Sequence, residues 1–122
     1  MSLTKTFDQF EVYQKSLILA KEIFRLMNNP NFDREYGFKD QIKRAVVSIS
    51  NNIAEGSEYN NNRQFVRFLG HSKGSCAEVR SMLILGVELG LLRKEQVQQA
   101  MDLSIEISKN LSKFMDYLKS RI

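Results

Sequence analysis

The residues of this chain with the clearest chemical potential form a polar stripe in its first half. Gln41, Arg44, Ser48, Asn52 and Glu55 recur every three or four residues, so a helix would place them on one face. Their short hydroxyl and amide groups, framed by one cation and one anion, could bind a polar ligand. They could equally form a hydrogen-bonded layer inside a helical bundle, where buried charges are tolerated when they are paired.

Polar residues of a later segment would face this stripe, namely Arg67, Ser75 and Glu78. If the two segments are neighbouring antiparallel helices, Arg44 lies level with Glu78. Glu55 then lies level with Arg67 or Arg63. We therefore expect an ion pair between Arg44 and Glu78, and a second one between Glu55 and Arg67 or Arg63.

The same layer should hold hydrogen bonds from Asn52 and Ser75. Gly70 and Gly74 lie in the later segment, and an interior glycine costs about 1 kcal/mol relative to alanine, so close helix packing would explain them. Gly56 follows the stripe and suits the position just past a helix end, where a positive φ is needed. The layer is either a ligand or catalytic site or a polar network that fixes helix register, and the residue types favour the network.

Groups suited to catalysis are sparse. His71 is the only histidine, and Cys76, five positions later, lies about 140° round a helix, so the two cannot readily pair. The sequence has no Glu-x-x-His motif and no Cys or His cluster with metal-ligand spacing. The segment 70–75 contains two glycines but lacks the spacing and the preceding strand of a phosphate loop. We therefore expect no enzyme, no metal and no cofactor.

Apolar residues with helical periodicity predict four helices. The first helix should begin near Phe7, with Thr6 as its N-cap and Gln9 completing a capping box, and the second should run from about Arg34 to Glu55, with Asp33 as its cap. The third should follow a cap formed by Asn61 with Gln64 and extend to about Leu89, where Gly90 ends it. The fourth should begin near Lys94. Because the connections are short, the sequence predicts an all-α, antiparallel up-down-up-down four-helix bundle, with residues 1–122 as a single domain.

Composition and charge indicate a cytoplasmic protein with no membrane contact. No apolar run reaches the roughly 20 residues that cross a bilayer, and residues 1–5 lack the apolar segment of a signal peptide. A single cysteine excludes an internal disulfide. The net charge is +4: residues 1–58 hold eight basic and eight acidic groups, whereas residues 59–122 hold ten and six. A nucleic-acid partner is compatible with this distribution.

The stretch 41–56, QIKRAVVSISNNIAEG, resembles the signature of the small four-helix bundle proteins encoded in 23S ribosomal RNA intervening sequences. The segment 10–15 resembles the opening motif of that family, with Tyr13 where tryptophan is usual, and further similarity covers nearly the whole chain. The resemblance implies a homo-oligomer, commonly a pentameric ring, with no assigned activity in most members. A relative of the same fold, the accessory variability determinant of diversity-generating retroelements, binds a reverse transcriptase and nucleic acid.

Two nonenzymatic functions follow. The first is an oligomeric scaffold that binds RNA or DNA through basic residues of the second half, which would otherwise form a solvated charged face. These candidate contacts are Arg63, Lys73, Arg93, Lys94, Lys109, Lys113, Lys119 and Arg121. The alternative is a ring that docks a protein partner without touching nucleic acid. In that case exposed Phe32, Tyr36, Tyr59 or Met115 would mark the interfaces, although self-association would explain them equally well.

Overall fold

Each of the four segments with helical periodicity forms a helix in the computed structural model, which describes residues 6–122. Residues 1–5, on which the expectation about a signal peptide rests, lie outside the described residues. The helices are α1 (Glu11–Met27), α2 (Tyr36–Glu58), α3 (Asn62–Glu88) and α4 (Lys94–Lys119). α1 and α3 each pack against both α2 and α4, which confirms the predicted four-helix bundle.

The core is built from the apolar stripes of all four helices. Its completely buried members include Leu19 and Ile23 of α1, Ile49 and Ile53 of α2, Leu69 and Leu83 of α3, and Ile107 and Leu111 of α4. Each such side chain contributes about 1.5–3 kcal/mol relative to an exposed one, so this burial supplies most of the drive to fold. In the described part of the chain, no helix is long and apolar enough to cross a membrane.

The helix starts depend on side-chain caps where the sequence provides them. The Thr6 N–H donates to Gln9 Oε1 at 3.2 Å, as the capping box predicts, but the element that follows is a short 3₁₀ turn, Phe7–Gln9. α1 begins only at Glu11, because Phe10 is extended with ψ 131°. The predicted Asn61 cap is confirmed, since its side chain accepts from the Gln64 N–H at 3.1 Å.

The start of α2 differs from the prediction. Asp33 does not cap this helix: its N–H donates to the Pro30 carbonyl and closes a 3₁₀ turn, Pro30–Phe32. α2 therefore begins at Tyr36, and its N-cap residue, Glu35, makes no capping hydrogen bond through its side chain.

Two glycines have different roles: Gly56 allows a close contact between helices, and Gly90 ends a helix. Gly56 does not end α2, which continues to Glu58; it permits close packing instead, because a Cβ there would lie 2.6 Å from Phe68 Cβ. Gly90, with φ +76°, ends α3 as predicted. Its N–H donates to the Val87 carbonyl while the Leu91 N–H donates to the Gly86 carbonyl, which is the Schellman arrangement.

The connections α1–α2 and α3–α4 meet at one end of the bundle. Phe32 is completely buried and packs against Phe38, with ring centroids 5.4 Å apart. Phe38 and Leu92 in turn crowd Gly86, where a Cβ would meet them at 3.3 and 3.0 Å. We call Phe32, Phe38, Gly86 and Leu92 the end cluster.

Candidate nucleic-acid interface

The polar stripe lies on the outside of the bundle and not in its interior. Ser48 and Asn52 of α2 and Ser75 and Glu78 of α3 are half-buried along the seam between these helices. The remaining members of the predicted layer are exposed, namely Gln41, Arg44, Glu55 and Arg67. The expected interior layer is therefore wrong, because the apolar stripes of the four helices already fill the core.

The hydrogen bonds expected for Asn52 and Ser75 are nevertheless present along this seam. The Asn52 amide donates to the Ser48 carbonyl at 2.8 Å and to Ser48 Oγ at 2.9 Å. Ser75 Oγ donates to Ser48 Oγ at 3.0 Å, which links α3 to α2.

Both predicted ion pairs are wrong. Arg44 Nε contacts Asp40 Oδ2 at 2.8 Å, one turn earlier on the same helix. Glu78 accepts instead from the side-chain amide of Gln41. Within residues 6–122, Glu55 pairs with neither Arg67 nor Arg63. Level positions on neighbouring helices did not suffice, because Arg44 finds a carboxylate one turn away on its own helix and Glu78 is already paired with Gln41 across the seam.

Buried polar contacts between helices come from residues that we did not single out. Ser72 Oγ donates to the Ile49 carbonyl at 2.7 Å and joins α3 to α2. Ser104 Oγ donates to the Cys76 carbonyl at 3.1 Å, and Arg80 Nη1 donates to Ser104 Oγ at 3.1 Å, so α4 is joined to α3. Both serines are completely buried. The signal for them was a serine at a core position of an otherwise apolar stripe.

Close packing does not explain both glycines of mid-α3. A Cβ on Gly70 would make an ordinary contact with Met115 Cε at 3.7 Å. A Cβ on Gly74 would meet nothing within 4 Å. The expected packing role is therefore absent at Gly74 within this chain.

Charge is unevenly distributed along the face formed by α3 and α4. Residues 62–77 and 107–122 contain seven Lys and Arg residues and one acidic residue, Asp116. The intervening residues 78–106 contain three basic and five acidic residues. The contacts of Ser104 with Cys76 and Arg80 place the segments 62–77 and 107–122 side by side. We call these two segments the basic half, with a net charge of +6, and residues 78–106 the acidic half, with −2.

The basic half is exposed. Its seven cations are Arg63, Arg67, Lys73, Lys109, Lys113, Lys119 and Arg121, all of them exposed. None of the seven forms an ion pair with another described residue. At the same end of the bundle, α1 and α2 carry the carboxylates Glu11, Glu55 and Glu58, and Lys113 lines a surface pocket together with Glu11. A polyanion should therefore be attracted more strongly to α3 and α4 than to α1 and α2 at this end.

Comparison with known proteins agrees with the sequence resemblance. The family model of the 23S rRNA-intervening sequence proteins matches residues 8–113. The chain belongs to this family. The structure is also similar to a crystal structure of a protein with unknown function from the S23 ribosomal protein family of Bacteroides thetaiotaomicron. The TM-score is 0.78 and the sequence identity 26%, over 85% of this chain and 97% of that chain. No curated protein matches.

In this member of the 23S rRNA-intervening sequence family, two of the eight candidate contacts lie apart from the others. Arg93 and Lys94 are exposed but belong to the acidic half, and Arg93 lies 3.8 Å from Glu95. Lys94 begins α4 and Lys119 ends it, so about 37 Å of helix separates them. The structure therefore brings together six of the predicted contacts and adds Arg67.

The four side chains proposed as interface markers differ in how exposed they are. Phe32 is completely buried, so its assignment as an exposed marker is wrong. Met115 is half-buried against the core. Tyr36 and Tyr59 are exposed, at 73% and 46%.

Neither candidate catalytic side chain has an environment that activates it. Cys76 is completely buried, and this desolvation raises the pKa of its thiol to about 11, despite the opposing effect of the nearby Arg80. His71 is exposed on α3. Among the described residues, no group of three or more His, Cys, Asp and Glu side chains is arranged to hold a metal ion.

Proposed function

We propose that this protein is a nonenzymatic, homo-oligomeric scaffold that binds RNA or DNA through the basic half of its α3–α4 face. The observation that carries the proposal is the excess of seven exposed cations over one acidic residue in two adjacent helical segments. A pentameric ring, as implied by the family resemblance, would repeat this surface five times.

The chemistry of such a surface is electrostatic. Lysine and arginine side chains neutralise phosphates and release condensed counterions, so binding should weaken steeply with added salt. Phosphate contacts position a nucleic acid without reading its sequence, so we expect little sequence preference. Assembly into a ring would multiply a weak contact, because the second and later contacts become intramolecular.

The environments of the buried thiol and hydroxyls among residues 6–122 support a nonenzymatic role. A thiol with a pKa near 11 is protonated at neutral pH, and only the thiolate is strongly nucleophilic. The buried hydroxyls of Ser72 and Ser104 both donate to main-chain carbonyls.

The experiment is a light-scattering mass of the protein with and without a structured RNA, at low and at high salt. The double variant Lys109→Glu, Lys113→Glu should lose the RNA-dependent gain in mass that the wild type shows at low salt. The matched control is Arg93→Glu, Lys94→Glu, which makes the same charge change at the start of the same helix, in the acidic half, and it should retain the gain. Equal losses in both variants, or no gain for the wild type at any salt, would overturn the proposal.

A specific feature favours the alternative function, the docking of a protein. An apolar groove of about 310 Å³ lies between α3 and α4 in the acidic half. It is lined by Ile84, Val87, Val97, Met101 and Ile105, and Ile84 is 53% exposed. A ring that forms but ignores RNA would shift the function to this groove and to protein contacts.

A further inference from the structure

An aromatic ladder lies where α2 meets α3, at the edge of the basic half. The Tyr59 ring stacks on Phe68, with centroids 5.2 Å apart and planes 17° from parallel. His71 meets Phe68 edge-on, with centroids 6.1 Å apart. Phe68 is half-buried, whereas Tyr59 and His71 are exposed. Since one face of the Tyr59 ring lies on Phe68 and 46% of the residue is exposed, solvent reaches the ring from its other side.

The ladder is held by the packing of the two helices. Phe68 Cβ approaches Gly56 so closely that any side chain at position 56 would collide with it at 2.6 Å. α2 ends two residues later, and the Tyr59 N–H donates to the Gly56 carbonyl at 3.3 Å. Gly56 thus allows α3 to approach the end of α2 closely enough for Tyr59 to stack on Phe68. The packing of α2 on α3 therefore fixes the position of the exposed Tyr59 ring.

Two free guanidinium groups accompany the ladder. Arg63, Arg67 and His71 follow one another at intervals of four residues, so they occupy successive turns on one side of α3. Both arginines are exposed, and neither pairs with a carboxylate in the part of the chain that the structure describes. The carboxylates Glu55 and Glu58 are exposed in the last turn of α2, just before Tyr59.

We propose that the ladder is a stacking site for the unpaired bases of a single-stranded nucleic acid, with Arg63 and Arg67 bound to the flanking phosphates. This site rests on the proposed function and adds a ligand class to it. Exposed aromatic faces beside cations are the usual means of holding unpaired bases. A duplex keeps its bases stacked on one another, and its second strand would bring phosphates towards Glu55 and Glu58. Single strands should therefore bind here better than duplexes.

The test compares the affinity for a labelled single-stranded oligouridine and for an RNA duplex of equal length, measured by fluorescence anisotropy at low salt. Tyr59→Leu should weaken single-strand binding about 5- to 100-fold, the usual effect of losing one or more stacked bases. Duplex affinity should stay within about 2-fold, and the salt dependence of both should not change, because no charge is removed.

Two further variants separate stacking from folding. Tyr59→Phe keeps the ring and should retain single-strand affinity. Tyr36→Leu removes a tyrosine that is even more exposed than Tyr59, at the other end of α2, and should change neither affinity. Circular dichroism would verify that every variant keeps its helices.

The results distinguish this site from the proposed function. If the wild type binds and Tyr59→Leu binds both probes as the wild type does, or loses both equally, the stacking site is overturned while the electrostatic scaffold stands. If the wild type binds neither probe, the proposed function fails, and the site fails with it.

Discussion

At the scale of single residues, Gly56 and Gly74 have opposite environments within one bundle. A Cβ at position 56 would collide with Phe68 and touch Phe65, whereas a Cβ at position 74 would meet open space. One glycine is required by the fold of a single chain, and the other is not. An assembly in which a second copy packs on α3 would give Gly74 the same role that Gly56 has here.

Alanine at these two positions should therefore change stability in opposite directions. Gly56→Ala should lower the free energy of unfolding by about 1–3 kcal/mol through overpacking. Gly74→Ala should raise it by up to about 1 kcal/mol, because alanine is the better helix former. Urea unfolding of the two variants, monitored by circular dichroism, checks both signs. A Gly56→Ala variant as stable as the wild type would contradict the close packing of α2 on α3, whereas a destabilising Gly74→Ala would indicate a second copy packed on α3.

Cys76 gives a pH dependence of stability. Because burial raises its pKa to about 11, whereas an unfolded cysteine titrates near 8.5, the folded state binds the extra proton between these values. The stability from the buried neutral thiol is fully present below about pH 8.5. It declines by up to about 1.4 kcal/mol per pH unit as the pH rises towards 11.

The measurement is urea unfolding at pH 8 and pH 10 for the wild type and for Cys76→Ala. The alanine variant keeps all other titrating groups, so the difference between the two proteins isolates the thiol. A thiol reagent should also react with the native wild type at pH 8 only as fast as the protein unfolds. Fast labelling of folded protein would contradict the burial.

At the scale of the helix, some features were predictable from the sequence and others were not. The four helices were predictable because apolar spacing determines which faces must be buried, and their antiparallel order was predictable because the connections are short. The cap at Asn61 and the stop at Gly90 were predictable because they act through local main-chain geometry. The position of the polar stripe was not, since Ser48 and Asn52 have side chains as suited to a surface seam as to a core.

The candidate site, too, was only partly predictable, because its arrangement depends on how the helices pack against one another. Exposure of the basic residues followed from their charge, but their division into two halves required the alignment of α3 with α4. Arg67 was assigned to a buried ion pair and proves to be a free surface cation. The stacking of Tyr59 on Phe68 depends on the close approach at Gly56, which spacing along one helix cannot reveal.

The end of α3 provides a prediction at this scale. Gly90 has a left-handed conformation, so Gly90→Ala should cost about 1–2 kcal/mol. Gly90→Asn should cost less, because asparagine tolerates this region better than other side chains. Thermal unfolding of the two variants should rank them in that order. Equal melting temperatures for both variants and the wild type would contradict the Schellman ending.

For the whole molecule, the α3–α4 face separates an apolar groove from the basic half. If copies associate through the groove, Ile84→Lys with Ile105→Lys should lower the assembled mass in sedimentation, while leaving the helix content unchanged. The single variants Ile84→Lys and Ile18→Lys give a matched comparison, since each adds one lysine at an exposed isoleucine, and Ile18→Lys, on α1, should leave the mass unchanged. Loss of assembly in the control alone would assign the contact to α1.

The end cluster has a consequence for the order of folding events. It joins Phe32 and Phe38, from the first pair of helices, to Gly86 and Leu92, from the second pair. Neither helical hairpin can complete it alone, so these contacts should form after the main barrier, once the two hairpins have docked. Phe38→Leu, at the member that approaches Gly86 of the other pair, should then accelerate unfolding and give a lower φ-value in stopped-flow kinetics than Phe32→Leu, because the partner of Phe32 belongs to its own pair. The end cluster would thus slow unfolding and so prolong the lifetime of the native state.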